Sequence, residues 1–219
     1  MRNPTRPEVV EAIFQGVKNV QYDYKRAYES HISNSEYSPE YLMNVYIFKS
    51  ILEIKEKIGC PYGIAIEQPI RKIVEALPKI RGSYSKQIRK GGKCDLVLWD
   101  VNCEKKPISV IEVKENAWKF SSDVKRLARL IQRNLEYGIL TSCKFEKFEG
   151  DGLVEAEKNL NEELRCIYKY IKKDVKRIGD NLEVKIELDT LEVMQLEGDE
   201  EKWVWCPVCY VIYDKNNQS

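Results

Sequence analysis

Histidine is almost missing from this 219-residue chain. Its one copy, His31, stands at a helix end before a polar stretch with no paired serine or cysteine, which leaves a Ser-His-Asp or Cys-His hydrolase without its base. The run G-x-x-x-x-G-K-[ST] is also absent, so P-loop NTP hydrolysis is excluded. No stretch nears the roughly 20 apolar residues of a spanning helix, and the opening MRNPTRPEVV lacks the apolar core of a secretory signal. The expected address is cytoplasmic, with no membrane partner. Neither sign of charge prevails, with 36 Lys plus Arg against 35 Asp plus Glu, so affinity for a polyanion has to come from local clustering. Seven cysteines, at 60, 94, 103, 143, 166, 206 and 209, are odd in number and too scattered for a disulfide framework; they read as reduced, mostly buried thiols.

What is present suits a soluble globular chain: 43% hydrophobic and 32% charged residues, with enough length for one domain and elaborations. Apolar residues at helical spacing predict one or two helices from Pro7 to about His31. A longer helix follows, opened by Ser38-Pro39-Glu40 and running through about Ile58, with Gly59 placed to end it. YGIAIEQPI, VLWD and SVIEVK read as strands, the last two joined by a polar turn near residues 102–106. A helix capped by Ser121 or Ser122 carries Val124, Leu127, Leu130 and Ile131 on one face and has Gly138 as its stop. GILTSCKF is a fourth strand, residues 152–178 a charged helix, and Leu182 to Met194 with Trp203 to Tyr213 a hairpin around EGDEE. The expectation is an α/β fold with a mixed central sheet flanked by helices. Its parts are an N-terminal helical segment at 1–37, a core at 38–150, and a helix plus β-hairpin extension at 151–219.

Charged residues interrupt the two strands in KCDLVLWDVNCEKKPISVIEVKEN. Pairing them around residues 104 and 105 sets Val97 opposite Glu112 and Asp95 opposite Lys114. All three charged side chains then share one face, with Asp95 the diagonal neighbour of Glu112. A one-residue slip would scatter them. Two carboxylates held side by side repel, and a hard divalent cation relieves that repulsion through oxygen ligands. Such an ion activates water and polarises a phosphoryl oxygen, and Lys114 stands where it could orient that water or stabilise developing charge.

Asp95 followed by Glu112-Val113-Lys114 on the next strand, in the order helix, three strands, helix, strand, resembles the PD-(D/E)XK nuclease superfamily, the restriction-endonuclease-like fold. SPEYLMNVYIFKSILEIKEKIGCPYGIAIEQPI, KCDLVLWD and ISVIEVKEN are similar in particular to the N-terminal nuclease domain of type I restriction enzyme motor subunits, over roughly residues 38–145. Cys94 stands where that family has a proline. The resemblance implies Asp95, Glu112 and the Val113 carbonyl as ligands of Mg²⁺ (or Mn²⁺), Lys114 as catalytic lysine, Glu40 as first-helix acid and Glu67 as a further strand acid. It implies a DNA endonuclease in restriction, phage defence or a mobile element, acting as a homodimer or in a larger defence complex. RNA cleavage, and a catalytically silent nucleic-acid-binding or assembly subunit, remain open.

Between the first and second strands, PKIRGSYSKQIRKGGK carries Lys79, Arg81, Lys86, Arg89, Lys90 and Lys93 without an acid, a composition suited to phosphates or to a solvated loop. On the helix after Glu112, Lys125, Arg126, Arg129 and Arg133 lie mostly opposite the apolar stripe; Lys125 and Arg129 are the candidates for backbone contacts there. Cys206-Pro-Val-Cys209 lies on an apparent strand without a second close pair, so structural zinc gives way to buried thiols. Trp203 and Trp205 are expected to pack the hairpin.

Overall fold

Seven strands make one mixed sheet in the computed structural model, which describes residues 2–29, 39–59, 62–78, 92–100, 106–114, 120–195, 200 and 202–217. In chain order the elements are α1 (Arg6–Glu29), α2 (Pro39–Ile58), β1 (Gly63–Pro69), α3 (Ile70–Ala76), β2 (Lys93–Asp100), β3 (Lys106–Lys114), α4 (Ser121–Ile131), β4 (Tyr137–Phe148), α5 (Leu153–Lys176), β5 (Leu182–Leu188), β6 (Glu192–Gln195) and β7 (Lys202–Asp214). The spatial order is β1-β2-β3-β4-β7-β5, with β6 also on β7. β3 and β4 run parallel and the other neighbours antiparallel. The expected α/β architecture is therefore present. No helix among the described residues is long and apolar enough to cross a membrane.

Both faces of the sheet are covered, so two cores form. α3, α4 and α5 bury Val97, Val110, Leu140 and Tyr210 on one face. α1 and α2 bury Leu96, Leu98, Ile111 and Val113 on the other. A central strand buried on both sides reads as a continuous apolar run, which is why β3 is buried from Pro107 to Val113. α5 presents Ala156, Leu160, Leu164, Ile167, Ile171 and Val175 to the sheet at helical spacing. Thr5 and Glu8 close the start of α1: the Glu8 carboxylate accepts the Thr5 N–H at 2.7 Å.

Several boundaries differ from expectation for local reasons. α3 was not anticipated; it is seven residues long and has no side-chain cap, too short for periodicity to mark it. α4 begins after Phe120 without a side-chain cap, because the Ser121 hydroxyl donates to Asp174 instead, at 2.6 Å. It ends at Ile131, near left-handed Asn134 at φ 67°, and Gly138 lies inside β4. The first strand of the expected hairpin divides into β5 and β6, and β7 runs between them and β4. The Cys206 and Cys209 thiols are buried in opposite cores, since an odd spacing on a strand sends two side chains to opposite faces. Trp205 is buried against Phe145 and Tyr22. Cys166 is exposed, whereas His31, Cys60 and Cys103 lie outside the described residues.

Helices α1 and α2 meet where Gly16 faces Ile47. A β-carbon at residue 16 would stand 2.6 Å from the Ile47 Cα and 2.7 Å from its backbone nitrogen. Gly16→Ala gains about 1 kcal/mol of helix propensity, but the contact is with backbone, which cannot turn away. Overpacking costs about 1–3 kcal/mol, so the expected result is a net loss of stability, with Gly16→Val worse. Urea unfolding of the two variants measures this.

Candidate functional site

β2 and β3 pair with Leu96 facing Ile111, Val97 facing Val110 and Leu98 facing Ser109. This register differs by two residues from the expected one. The ladder runs to an Asp100–Lys106 pair, and a bulge between Leu98 and Trp99 absorbs one residue. A shift of two keeps the paired side chains on their expected faces, but alternation breaks at Asp95, where Cys94 joins the core of Val97 instead of that of Leu96. The ladder stops at the Leu96–Ile111 pair, and Asp95 and Glu112 are the next residue on each strand, so the expected Asp95–Lys114 pair does not form.

Four elements deliver charge to this end of the sheet. Lys114, the last residue of β3, places its Nζ 3.1 Å from Glu40 Oε1 on the first turn of α2. The same ammonium is 3.7 Å from Asp95 Oδ2 on β2 and 3.8 Å from Asp123 Oδ2 on the first turn of α4. Arg126, one turn further along α4, lies 2.6 Å from both Glu112 Oε1 and Asp123 Oδ1. Asp95 Oδ2 also accepts the Val113 N–H at 2.8 Å, which fixes the carboxylate against the end of the ladder. Asp95, Glu112, Lys114 and Glu40, picked from the sequence, thus gather in one cluster. Ser142, across from Lys114 in the parallel pairing, is buried with its hydroxyl unpaired among the described residues.

The cluster holds four carboxylates against two cations, a local excess of two negative charges when all are ionised. Glu112 is the innermost, with a side chain 1% exposed. Burial pushes its carboxyl up to about 7; Arg126 pulls against that rise, and Asp95 and Asp123 add to it. For Lys114, burial acts to lower the pKa, but Asp95, Glu40 and Asp123 outweigh it and the ammonium is held above its ordinary value. Cys94, beside Glu112, is buried, and burial holds its thiol well above the usual range.

The other candidates fall elsewhere. Glu67 lies in the cross-strand row of Asp95, between the Ile66–Leu96 and Gln68–Cys94 pairs. Its backbone is left-handed at φ 49°, and its carboxylate turns to Lys93 Nζ at 2.5 Å on the exposed surface. It makes no ion pair with the cluster among the described residues. Left-handed backbone at a non-glycine residue is costly, and such residues concentrate at functional sites. Val113 contributes its N–H to Asp95 while its side chain is buried in the α1–α2 core. Lys79, Arg81, Lys86, Arg89 and Lys90 lie outside the described residues. Lys125 pairs with Asp174 at 3.6 Å and Arg129 is half-buried. The expectation that the α4 cations lie mostly opposite the apolar stripe fails for Arg126, which turns inward to Glu112, and for Arg133, which is buried.

Asp123 is not among the residues the sequence points to, and Arg126 is expected only as an outward cation of α4. At 100° per residue Asp123 falls beside the Val124–Leu127 stripe and Arg126 one step further round, so an i,i+3 acid–base pair flanking a buried face was the available signal. Among the described residues no three His, Cys, Asp or Glu side chains converge into a metal cage. Mg²⁺ does not need one, because it commonly takes one or two carboxylates and completes its shell with waters and substrate phosphate. Asp95 and Glu112, the residues that follow the last β2–β3 pair, offer that smaller donor set.

A raised carboxyl pKa has a definite sign in stability. The folded chain holds the Glu112 proton more tightly than the unfolded chain, so this group's contribution is full below about 4.5 and declines as pH rises to about 7. Thermal melts between pH 4.5 and 8 are expected to show wild-type stability falling relative to Glu112→Gln across that window and running parallel above it. Parallel curves throughout would contradict the raised pKa. Comparison of the chain with protein-family models, with curated proteins and with solved structures found no match.

Proposed function

We propose that this chain is a Mg²⁺- or Mn²⁺-dependent nuclease that hydrolyses phosphodiester bonds of nucleic acid, with DNA as substrate. The observation that carries this reading is the meeting of Lys114 with Asp95 and Glu40 just past the last β2–β3 pair, with Glu112 the next residue of β3. Asp95 and Glu112 would hold the ion, and the local excess of two negative charges is what a divalent cation neutralises. When bound, such an ion supplies Lewis acidity at a phosphoryl oxygen and lowers the pKa of a bound water.

The chain's own groups do the positioning. The Val113 N–H orients Asp95. Asp123 holds the Arg126 guanidinium, which in turn holds Glu112. Lys114, charged at neutral pH, faces the same space and can bind the attacking water or the phosphate oxygens as negative charge develops. Glu40 fixes that ammonium in place. Double-strand cutting would pair two protomers, each with one site. Restriction, phage defence or a mobile element is the setting that the resemblance to type I nuclease domains suggests.

One observation favours the second reading, a catalytically silent nucleic-acid-binding or assembly subunit: Arg126 sits on the Glu112 carboxylate at 2.6 Å, in competition with any metal. Two measurements separate the readings. Supercoiled plasmid, single-stranded DNA and RNA are incubated with Mg²⁺, Mn²⁺ or EDTA; the enzyme predicts metal-dependent cutting of DNA, reduced by about a hundredfold or more in Lys114→Ala and Asp95→Ala. Mg²⁺ titration by calorimetry is expected to give binding that Asp95→Asn abolishes. Folded protein that neither binds metal nor cuts any substrate would leave the silent subunit.

A further inference from the structure

Outside the acidic cluster, the largest group of cations free of ion pairs among the described residues lies on α5. Arg165, Lys169, Lys172, Lys173 and Lys176 are all exposed and fall within about 100° of helix surface, directly opposite the buried Leu160–Ile167–Ile171 face. They extend over about 16 Å at 1.5 Å per residue. Complementarity to the helix dipole accounts for Lys173 and Lys176 in the last turn. It does not reach Arg165, Lys169 and Lys172. The acid within this stretch, Asp174, turns toward α4, where it takes the Ser121 hydroxyl at 2.6 Å and Lys125 at 3.6 Å.

That turn ties the cationic face to the acidic centre. Ser121 is two residues from Asp123, so the C-terminal half of α5 lies beside the end of α4 that faces Lys114. Between the two helices runs a groove of about 430 Å³. Phe120 and Val124 line it, with Lys125, Tyr170, Lys173, Asp174 and Arg177; Asp174 pairs with Lys125 at 3.6 Å and with Arg177 at 3.4 Å, which leaves Lys173 as its cation without an ion pair. Tyr170 is 64% exposed. An aromatic ring at a groove rimmed by cations is the arrangement that holds a nucleic-acid strand, with bases stacked on the ring and phosphates on the cations.

We propose that the outer face of α5 and the α4–α5 groove form a tract that binds the sugar-phosphate backbone of a nucleic-acid strand leading away from the acidic centre. The choice of nucleic acid among polyanions rests on the nuclease reading above. Contacts of this kind give affinity without sequence preference and depend steeply on salt.

The test is fluorescence anisotropy of a labelled oligonucleotide, single-stranded and as a duplex, at several salt concentrations in EDTA so that nothing is cut. Wild type is compared with Lys169→Gln/Lys172→Gln/Lys173→Gln/Lys176→Gln, with Tyr170→Ala, and with Lys49→Gln/Lys57→Gln on α2 as control. The fourfold variant is expected to lose at least tenfold in affinity at low salt. Its slope of log affinity against log salt should become shallower by about 0.7 for each single-strand phosphate contact removed, or about 0.9 for duplex. Tyr170→Ala should weaken the single strand more than the duplex. Equal binding and equal slopes in wild type and fourfold variant would overturn the tract, and so would wild type that binds vesicles of mixed phosphatidylserine and phosphatidylcholine but no oligonucleotide. Neither result touches the nuclease reading if Lys114→Ala still abolishes cutting. Binding that depends on α5 in a protein that never cuts would sustain the tract and end the nuclease reading.

Discussion

Glu112 is a carboxylate inside a sheet that is covered on both sides, and the surrounding polar structure depends on how it is held. Removing one partner of a buried ion pair typically costs about 3–5 kcal/mol, because the remaining charge has neither water nor a counter-ion. Arg126 supplies the counter-ion, reaching Glu112 from α4, which packs over the neighbouring strand β4. Asp123 then fixes Arg126, Lys114 answers Asp123 and Asp95, and Glu40 answers Lys114. A chain of charge pairs thus joins the first turns of two helices on opposite faces of the sheet through the ends of two strands.

Such an arrangement gives little stability for its complexity. Well-packed apolar residues of similar volume would fold as well or better. Charges held at close quarters in a partly buried site move pKa values toward neutrality. Glu112, pushed up to about 7, is such a group. The left-handed Glu67 in the same cross-strand row is a second cost of this kind that folding alone does not require.

The fold sets the distance between the cluster and the cations. α4 begins at the acidic centre and α5 returns beside it, so the basic half of α5 comes alongside even though about fifty residues of chain separate it from Glu112. The shared apolar core of α4 and α5 brings the two together, and the hydrogen bond from Ser121 to Asp174 lies where the helices meet.

How much of this was legible in the sequence can be argued residue by residue. Alternation along KCDLVLWD and ISVIEVK was enough to bring Asp95, Glu112 and Lys114 to one end of the sheet, where they gather, and Pro39-Glu40 was enough to mark a helix start. Periodicity also found α1, α2, α4 and α5, whose apolar stripes are long. It did not find α3, and it did not divide β5 from β6, because seven- and four-residue segments carry too few repeats of either period. Where the β2–β3 ladder stops, that Arg126 folds inward, and that β7 lies between β4 and β5 were decided by tertiary structure alone. Each depends on what packs against a residue from far away in the chain, and a helix flank or a strand edge looks the same in sequence whether water or another charge will meet it.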